Sequence, residues 1–221
     1  PKPNSYNFRN NIMNTKKIDE INLENLKLVS EILKDFDFFI FYGTLLGITR
    51  SNNILKSDDD IDFFVDIDLK EKILEKVCLL DHLQINKKVE NRYFTQFINN
   101  KYDTKTFIDF YFFINDKKKD YIVERHNWLS SIDVEEHSLH IPKSLIFPIK
   151  KSEKFDYIKL PNKQNELCEF LYGKSWQTPL TKNSEYRMEI IDHKPKLIRR
   201  SFIGSLNRKI KEFFTNKFQK K

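Results

Sequence analysis

Three aspartates carry the chemistry this sequence offers most plainly. Asp60 and Asp62 lie in the run Asp58-Asp59-Asp60-Ile61-Asp62-Phe63-Phe64-Val65, which reads as a strand. Strand side chains alternate between faces, so the carboxylates at i and i+2 point one way while Ile61, Phe63 and Val65 face a core. Paired hard oxygens on one rigid face suit Mg²⁺ or Mn²⁺. Asp109 is the third. It sits inside Phe107-Ile108-Asp109-Phe110-Tyr111-Phe112-Phe113, where an acid is costly unless it is paired or metal-bound. Asp109 therefore reads as the carboxylate that completes the set, with an internal ion pair to Lys or Arg as the structural alternative. Asp58 and Asp59 are expected to face water in a loop, and their repulsion with Asp60 and Asp62 is what a bound cation would relieve.

A phosphate site is expected beside these acids. The apolar run Phe38-Phe39-Ile40-Phe41-Tyr42 ends on Gly43-Thr44, where the backbone can turn tightly and offer N–H groups to an anion. Arg50 follows just past that turn and is expected to contact the same phosphate. Phosphate and metal held side by side point to phosphoryl or nucleotidyl transfer. Other chemistries lack their residues. His126, His137 and His140 have no zinc-type spacing, and no Gly-x-Ser-x-Gly elbow, Walker-type loop or Gly-x-Gly-x-x-Gly fingerprint occurs.

The elements that must position these groups follow from periodicity. Apolar residues at three- and four-residue intervals predict helices over 18–33 and 69–83, and a short helix from 45 to 50 with Gly43-Thr44 as its first turn. Strands are expected over 38–42, from Asp60 onward, over 92–98 and 104–114 as a hairpin across Asn99-Asn100-Lys101, and over 121–123. A last helix starts at Pro161-Asn162, runs to Tyr172 and is closed by Gly173, with Trp176 and Pro179 as an aromatic terminus. With 221 residues the chain suits one domain, over 18–180, preceded by a weakly determined segment 1–17 and followed by a tail 181–221.

The net charge of +7 belongs to that tail. Residues 194–221 hold ten Lys or Arg against one acid, Glu212, so the rest of the chain sums to −2. Ile198, Phe202, Ile203, Leu206, Ile210, Phe213, Phe214 and Phe218 recur at three- and four-residue intervals, which predicts a basic amphipathic helix over 197–221. An anionic membrane surface or an acidic partner is its expected contact, ahead of packing on its own domain, and nucleic acid is not expected. No apolar run approaches the roughly 20 residues of a membrane-spanning helix, so a cytoplasmic protein is expected, peripheral on the inner face of the membrane. Cys78 and Cys168 read as buried small hydrophobes on helices.

Two ordered stretches then resemble one family. Tyr42-Gly43-Thr44-Leu45-Leu46-Gly47-Ile48-Thr49-Arg50, followed by Asp58-Asp59-Asp60-Ile61-Asp62, resembles the first motif of the LicD family, which includes phosphocholine transferases and fukutin-related enzymes. Phe147-Pro148-Ile149-Lys150-Lys151, then Pro161-Asn162, then Leu171-Tyr172-Gly173-Lys174-Ser175-Trp176-Gln177-Thr178-Pro179 is similar to its C-terminal motif. Lys56-Ser57 departs from the Pro-Trp or similar pair that members usually carry before the aspartates. The resemblance implies an α/β (α+β) nucleotidyltransferase-type fold, a mixed β-sheet flanked by helices. It implies a CDP-linked donor and Mg²⁺ or Mn²⁺, with phosphocholine or a polyol phosphate moved to a hydroxyl of a cell-surface glycan and CMP released. That acceptor is of lipopolysaccharide, capsule or teichoic-acid type, and lipid-linked if the tail binds membrane. Gly43 and Thr44 would meet donor phosphate, Asp60 and Asp62 would bind metal, and Asp109 would complete the site as ligand or as base. The competing readings are an adenylyl- or nucleotidyltransferase acting on a small molecule or protein, and a non-catalytic subunit recruited to the membrane.

Overall fold

The computed structural model describes residues 5–126, 135–179 and 186–199. The helix expected over 18–33 is the second half of a longer one, α1 (Ser5–Ile32). Its buried stripe, Ile21, Asn22, Asn25, Leu26 and Val29, has the three- and four-residue spacing of a helix laid on a sheet. The stripe is not wholly apolar: two asparagines lie at its centre.

After α1 come β1 (Phe38–Ile40), α2 (Tyr42–Ser51), β2 (Asp60–Asp66), α3 (Lys70–Val77), β3 (Leu83–Ile85), β4 (Phe94–Asn99) and β5 (Thr106–Phe113). The five strands form one mixed sheet in the order β1-β2-β5-β4-β3. Only β2 and β5 run parallel, and α3, β3 and β4 supply the crossover that a parallel pair requires. This is the mixed sheet flanked by helices that the family resemblance implies.

Each face of the sheet has its own layer. Ile61 and Phe63 of β2 share one face with Ile108 and Phe110 of β5, and Phe63 stacks on Phe110 at 5.3 Å. On that side Asn25 of α1 reaches Thr106 of β5. Asp60, Asp62, Asp109 and Tyr111 point the other way, towards α2. Phe39, Phe41 and Phe64 are fully buried and form an aromatic core on the same side as the aspartates, with Phe41 stacked on Phe64 at 4.1 Å. Aromatic burial on this scale is the main stabilising term, about 25 cal/mol per Å² of apolar surface removed from water.

The remaining chain builds a collar on the α2 side: a ribbon of β6 (Tyr121–Glu124) and β7 (Leu139–Pro142), then α4 (Lys143–Ile146), the short pair β8 (Lys150–Lys151) and β9 (Lys159–Leu160), and α5 (Gln164–Tyr172). Asn162 fastens α5 to α4, its N–H donating to the Ile146 carbonyl at 2.9 Å and its Nδ2 to the Phe147 carbonyl at 3.1 Å. Gly173 ends α5 with φ +81°, and its N–H returns to the Glu169 carbonyl at 2.8 Å. Open space surrounds a Cβ built there, so the left-handed backbone alone selects glycine.

Several expected elements differ. The helix over 69–83 stops at Val77, because Leu79, Leu80 and Leu83 bond back three residues rather than four and unwind the chain into β3. Cys78 is consequently exposed while Cys168 is buried: with Ile73 and Val77 inward, the next position turns about 100° away. The tail begins as a strand. Leu197 and Ile198 pair with Met188 and Arg187 in a hairpin of β10 (Tyr186–Ile191) and β11 (Lys194–Arg199). Asp192 and His193, at φ +52° and +60°, form the two-residue turn that matches strand twist. The rest of the expected amphipathic helix, residues 200–221, lies outside the described residues. Among the described residues no helix is long and apolar enough to cross a membrane.

Candidate active site

The parallel register of β2 on β5 decides the site. Asp62 lies directly beside Asp109, and Asp109 directly beside Gln96 of β4, so three polar side chains form a row across three strands. Asp60, two residues before Asp62, joins the same face. Carboxylate oxygens of Asp60, Asp62 and Asp109 all lie within 4.8 Å of one another. Asp62 and Asp109 are 4% and 2% exposed, so their charges are buried together. Both accept hydrogen bonds from neutral donors: Gln96 Nε2 to Asp109 Oδ1 at 2.9 Å and the Thr44 N–H to Asp62 Oδ2 at 3.2 Å.

A sequence profile of the LicD/FKTN/FKRP nucleotidyltransferase domain matches residues 35–162. The chain belongs to this family. No curated protein matches it. A transferase role comes with membership, and the match covers β1 through β9 with all three aspartates. The matched span does not include every residue of the cleft, however. Leu171 and Tyr172 of α5 and Met188 of β10 also line it, beyond the matched span.

That cleft has a volume of about 480 Å³. The aspartates form its floor, and Tyr42, Phe107, Tyr111, Leu171, Tyr172 and Met188 its walls. Tyr42 opens α2 with φ +35°, an unusual conformation for a tyrosine. Its hydroxyl donates to Glu124 Oε2 at 3.1 Å and its ring meets Tyr111 edge-on at 5.0 Å. Burial raises the pKa of Tyr42, Tyr111 and Tyr172 well above the usual value, so the walls stay neutral at any physiological pH.

The expected phosphate residues separate in space. Gly43 lines the cleft, and a Cβ on it would come within 2.9 Å of Asp58 Oδ2 and 3.4 Å of Asp62 Oδ2, so any side chain there would displace the Asp58 carboxylate. Thr44 lies under Asp62 in a reciprocal clasp, its Oγ1 accepting the Asp62 N–H at 2.8 Å and donating to Asp62 Oδ2 at 3.4 Å. Its groups therefore orient a carboxylate. Arg50 occupies the last turn of α2, roughly 10 Å along the axis from Gly43 at 1.5 Å per residue, away from the aspartates. Asp58 and Asp59 lie in the loop as expected, Asp59 exposed and Asp58 half-buried, and both line the cleft. Of the histidines, His126 stacks on Phe94 at 4.2 Å and His140 on His193 at 3.8 Å, each in packing away from the aspartates.

Gln96, Tyr111, Tyr172 and Met188 are the site residues that sequence reasoning passes over. Tyr111 is legible in hindsight, two places after Asp109 on the same strand face; Gln96 needs the strand order.

Burial and mutual repulsion set the protonation of the floor. Burial, then the facing charges of Asp60 and Asp109, holds the Asp62 carboxyl well above the carboxylate range. Burial pushes Asp109 up to about 8, helped by Asp60, Asp59 and Asp58 and opposed by the Gln96 hydrogen bond. Hard oxygens that repel one another and are short of water are a donor set suited to Mg²⁺ or Mn²⁺.

Proposed function

We propose that the chain is a metal-dependent transferase that moves phosphocholine, or a related polyol or alcohol phosphate, from a CDP-linked donor to a glycan hydroxyl, releasing CMP. The observation that carries this reading is the triad of half-buried Asp60 with buried Asp62 and Asp109, their oxygens within 4.8 Å, at the floor of a cleft with neutral aromatic walls. The donor class rests on the resemblance of both motifs to the LicD family.

The three aspartates would hold Mg²⁺ or Mn²⁺, which when bound neutralises charge on the donor's phosphates. Thr44 and Gln96 fix the rotamers of Asp62 and Asp109, so the carboxylates need no reorganisation as charge develops. Gly43 leaves the backbone flush with the acids, giving a phosphate room to approach. Tyr42, Tyr111 and Tyr172 exclude water, which would otherwise compete with the acceptor. In the transfer the acceptor hydroxyl forms a bond to the head-group phosphorus as the bridging bond to CMP breaks. Asp109 would complete the site as a metal ligand or as the base that takes the hydroxyl's proton.

A thermal-shift panel tests this without an acceptor, since a ligand selective for the native state raises the melting temperature by mass action. With Mg²⁺ or Mn²⁺ present, CDP-choline, CDP-ribitol, CDP-glycerol, GDP-mannose and ATP are compared. The expected result is a metal-dependent rise with one CDP donor that Asp62→Asn abolishes. A rise with ATP alone would favour an adenylyltransferase, and no rise with any nucleotide would favour a non-catalytic subunit.

A further inference from the structure

The loop that presents the aspartates is held by a helix outside the matched domain. The Ser57 N–H donates to Asp19 Oδ1 at 2.8 Å, and Asn22 Nδ2 donates to the Asp58 carbonyl at 2.8 Å; both acceptor and donor belong to α1. Ser57 has φ +62°, so Asp19 bonds a residue of this loop that sits in the left-handed region. Asn22 is itself fixed from below. Asn25 Nδ2 bonds Asn22 Oδ1 at 3.2 Å and Thr106 Oγ1 at 3.0 Å, and Asn99 Nδ2 bonds Asn25 Oδ1 at 2.6 Å. Asn22, Asn25, Asn99 and Thr106 are at most 2% exposed. On the far side the Phe107 N–H donates to the Asp59 carbonyl at 2.8 Å.

Buried amides are retained only where their hydrogen bonds are made, and this ladder ends on the backbone of Asp58, whose carboxylate occupies the space beside Gly43. A loop left free to shift by an ångström would move Asp58 and Asp59, and pull on Asp60 at the first position of β2, relative to Asp62 and Asp109 farther along their strands. We propose that Asp19 and Asn22 of α1 are positioning residues that set the cation affinity of the aspartate site through the backbone at Ser57 and Asp58. This rests on the triad being a cation site, as proposed above.

Mn²⁺ titration by calorimetry, with the metal-free melting temperature recorded beside it, tests the inference on the full chain. Asn22→Ala and Asp19→Ala are expected to weaken Mn²⁺ binding by about tenfold, the size typical of groups that orient metal ligands. Asp19→Asn keeps an acceptor for Ser57 and is expected to restore affinity, which separates a hydrogen bond from a charge effect. Val29→Ala, a buried change on the same helix away from the loop, is expected to lower the melting temperature with affinity unchanged. Wild-type binding that Asp62→Asn abolishes but the two alanine variants leave intact would overturn the inference alone, as would an equal loss in Val29→Ala. No binding by the wild-type chain would remove the metal site and the inference with it.

Discussion

At the scale of single residues, the acids at the cleft floor trade stability for a site. Asp62 is buried beside two other carboxylates, and its pKa is raised well above normal by burial first and by Asp60 and Asp109 next. Asn is isosteric, neutral and still able to accept the Thr44 hydrogen bond. Asp62→Asn is therefore expected to abolish turnover while stabilising the metal-free protein by about 1 kcal/mol or more, a rise of a few °C at this chain length. A clear fall in the metal-free melting temperature would contradict it. The pH dependence follows from the same burial. Asp109 holds its proton to about 8 in the folded chain, whereas an unfolded aspartate ionises near 3.9. Between these values the native state binds more protons than the unfolded one, so stability falls as pH rises and levels off above 8. His140, lowered to about 4 by burial and by His193, acts in the opposite sense only up to about 6.5. From pH 6.5 to 8 the metal-free chain should lose about 1–2 kcal/mol. Denaturant melts at the two pH values check this, and saturating Mn²⁺ should flatten the slope.

At the scale of elements, α2 connects the site to the scaffold, and its two glycines separate function from folding. A Cβ on Gly47 would lie 2.7 Å from the Asn53 carbonyl and the Leu55 nitrogen, both backbone atoms that cannot yield singly. Gly47→Ala is expected to cost about 1–3 kcal/mol through overpacking. A Cβ on Gly43 meets the tip of Asp58, a side chain that can swing aside, and alanine is the better helix former by about 1 kcal/mol. Gly43→Ala should therefore leave the melting temperature nearly unchanged yet reduce turnover at least tenfold; full activity would show that the position of Asp58 does not matter. This helix also explains what was legible in the sequence. Asp60, Asp62 and Asp109 could be read because alternation along one strand fixes a face, and an acid among aromatics stands out without any tertiary knowledge. Thr44 and Arg50 were placed together because they are close in sequence. A continuous helix from Tyr42 to Ser51 turns the first under Asp62 and carries the second to the opposite end. Gln96 and the α1 asparagines were invisible for a related reason, since their partners are set by non-local register and packing.

At the scale of the whole molecule, charge is segregated. The acidic cleft belongs to a body, residues 1–199, whose charge sums to only +1, while residues 200–221 hold seven Lys or Arg against Glu212 alone and carry +6. Each basic residue near an anionic bilayer contributes about 1 kcal/mol, reduced by salt, and the interspersed phenylalanines add apolar area. Binding to an anionic surface would bring the cleft close to a lipid-linked acceptor. The hairpin determines where this can be tested. A cut at Lys196 would remove half of β11 and with it the partner of β10, which carries Met188 into the cleft, so the chain must end at Arg199. The full chain is expected to co-sediment with vesicles containing anionic lipid, and less so at high salt. The chain ending at Arg199 should stay in the supernatant while keeping its Mn²⁺-dependent thermal shift. Equal sedimentation of both chains would place membrane binding on the body, and loss of the thermal shift on shortening would show that the tail serves the cleft instead of the surface.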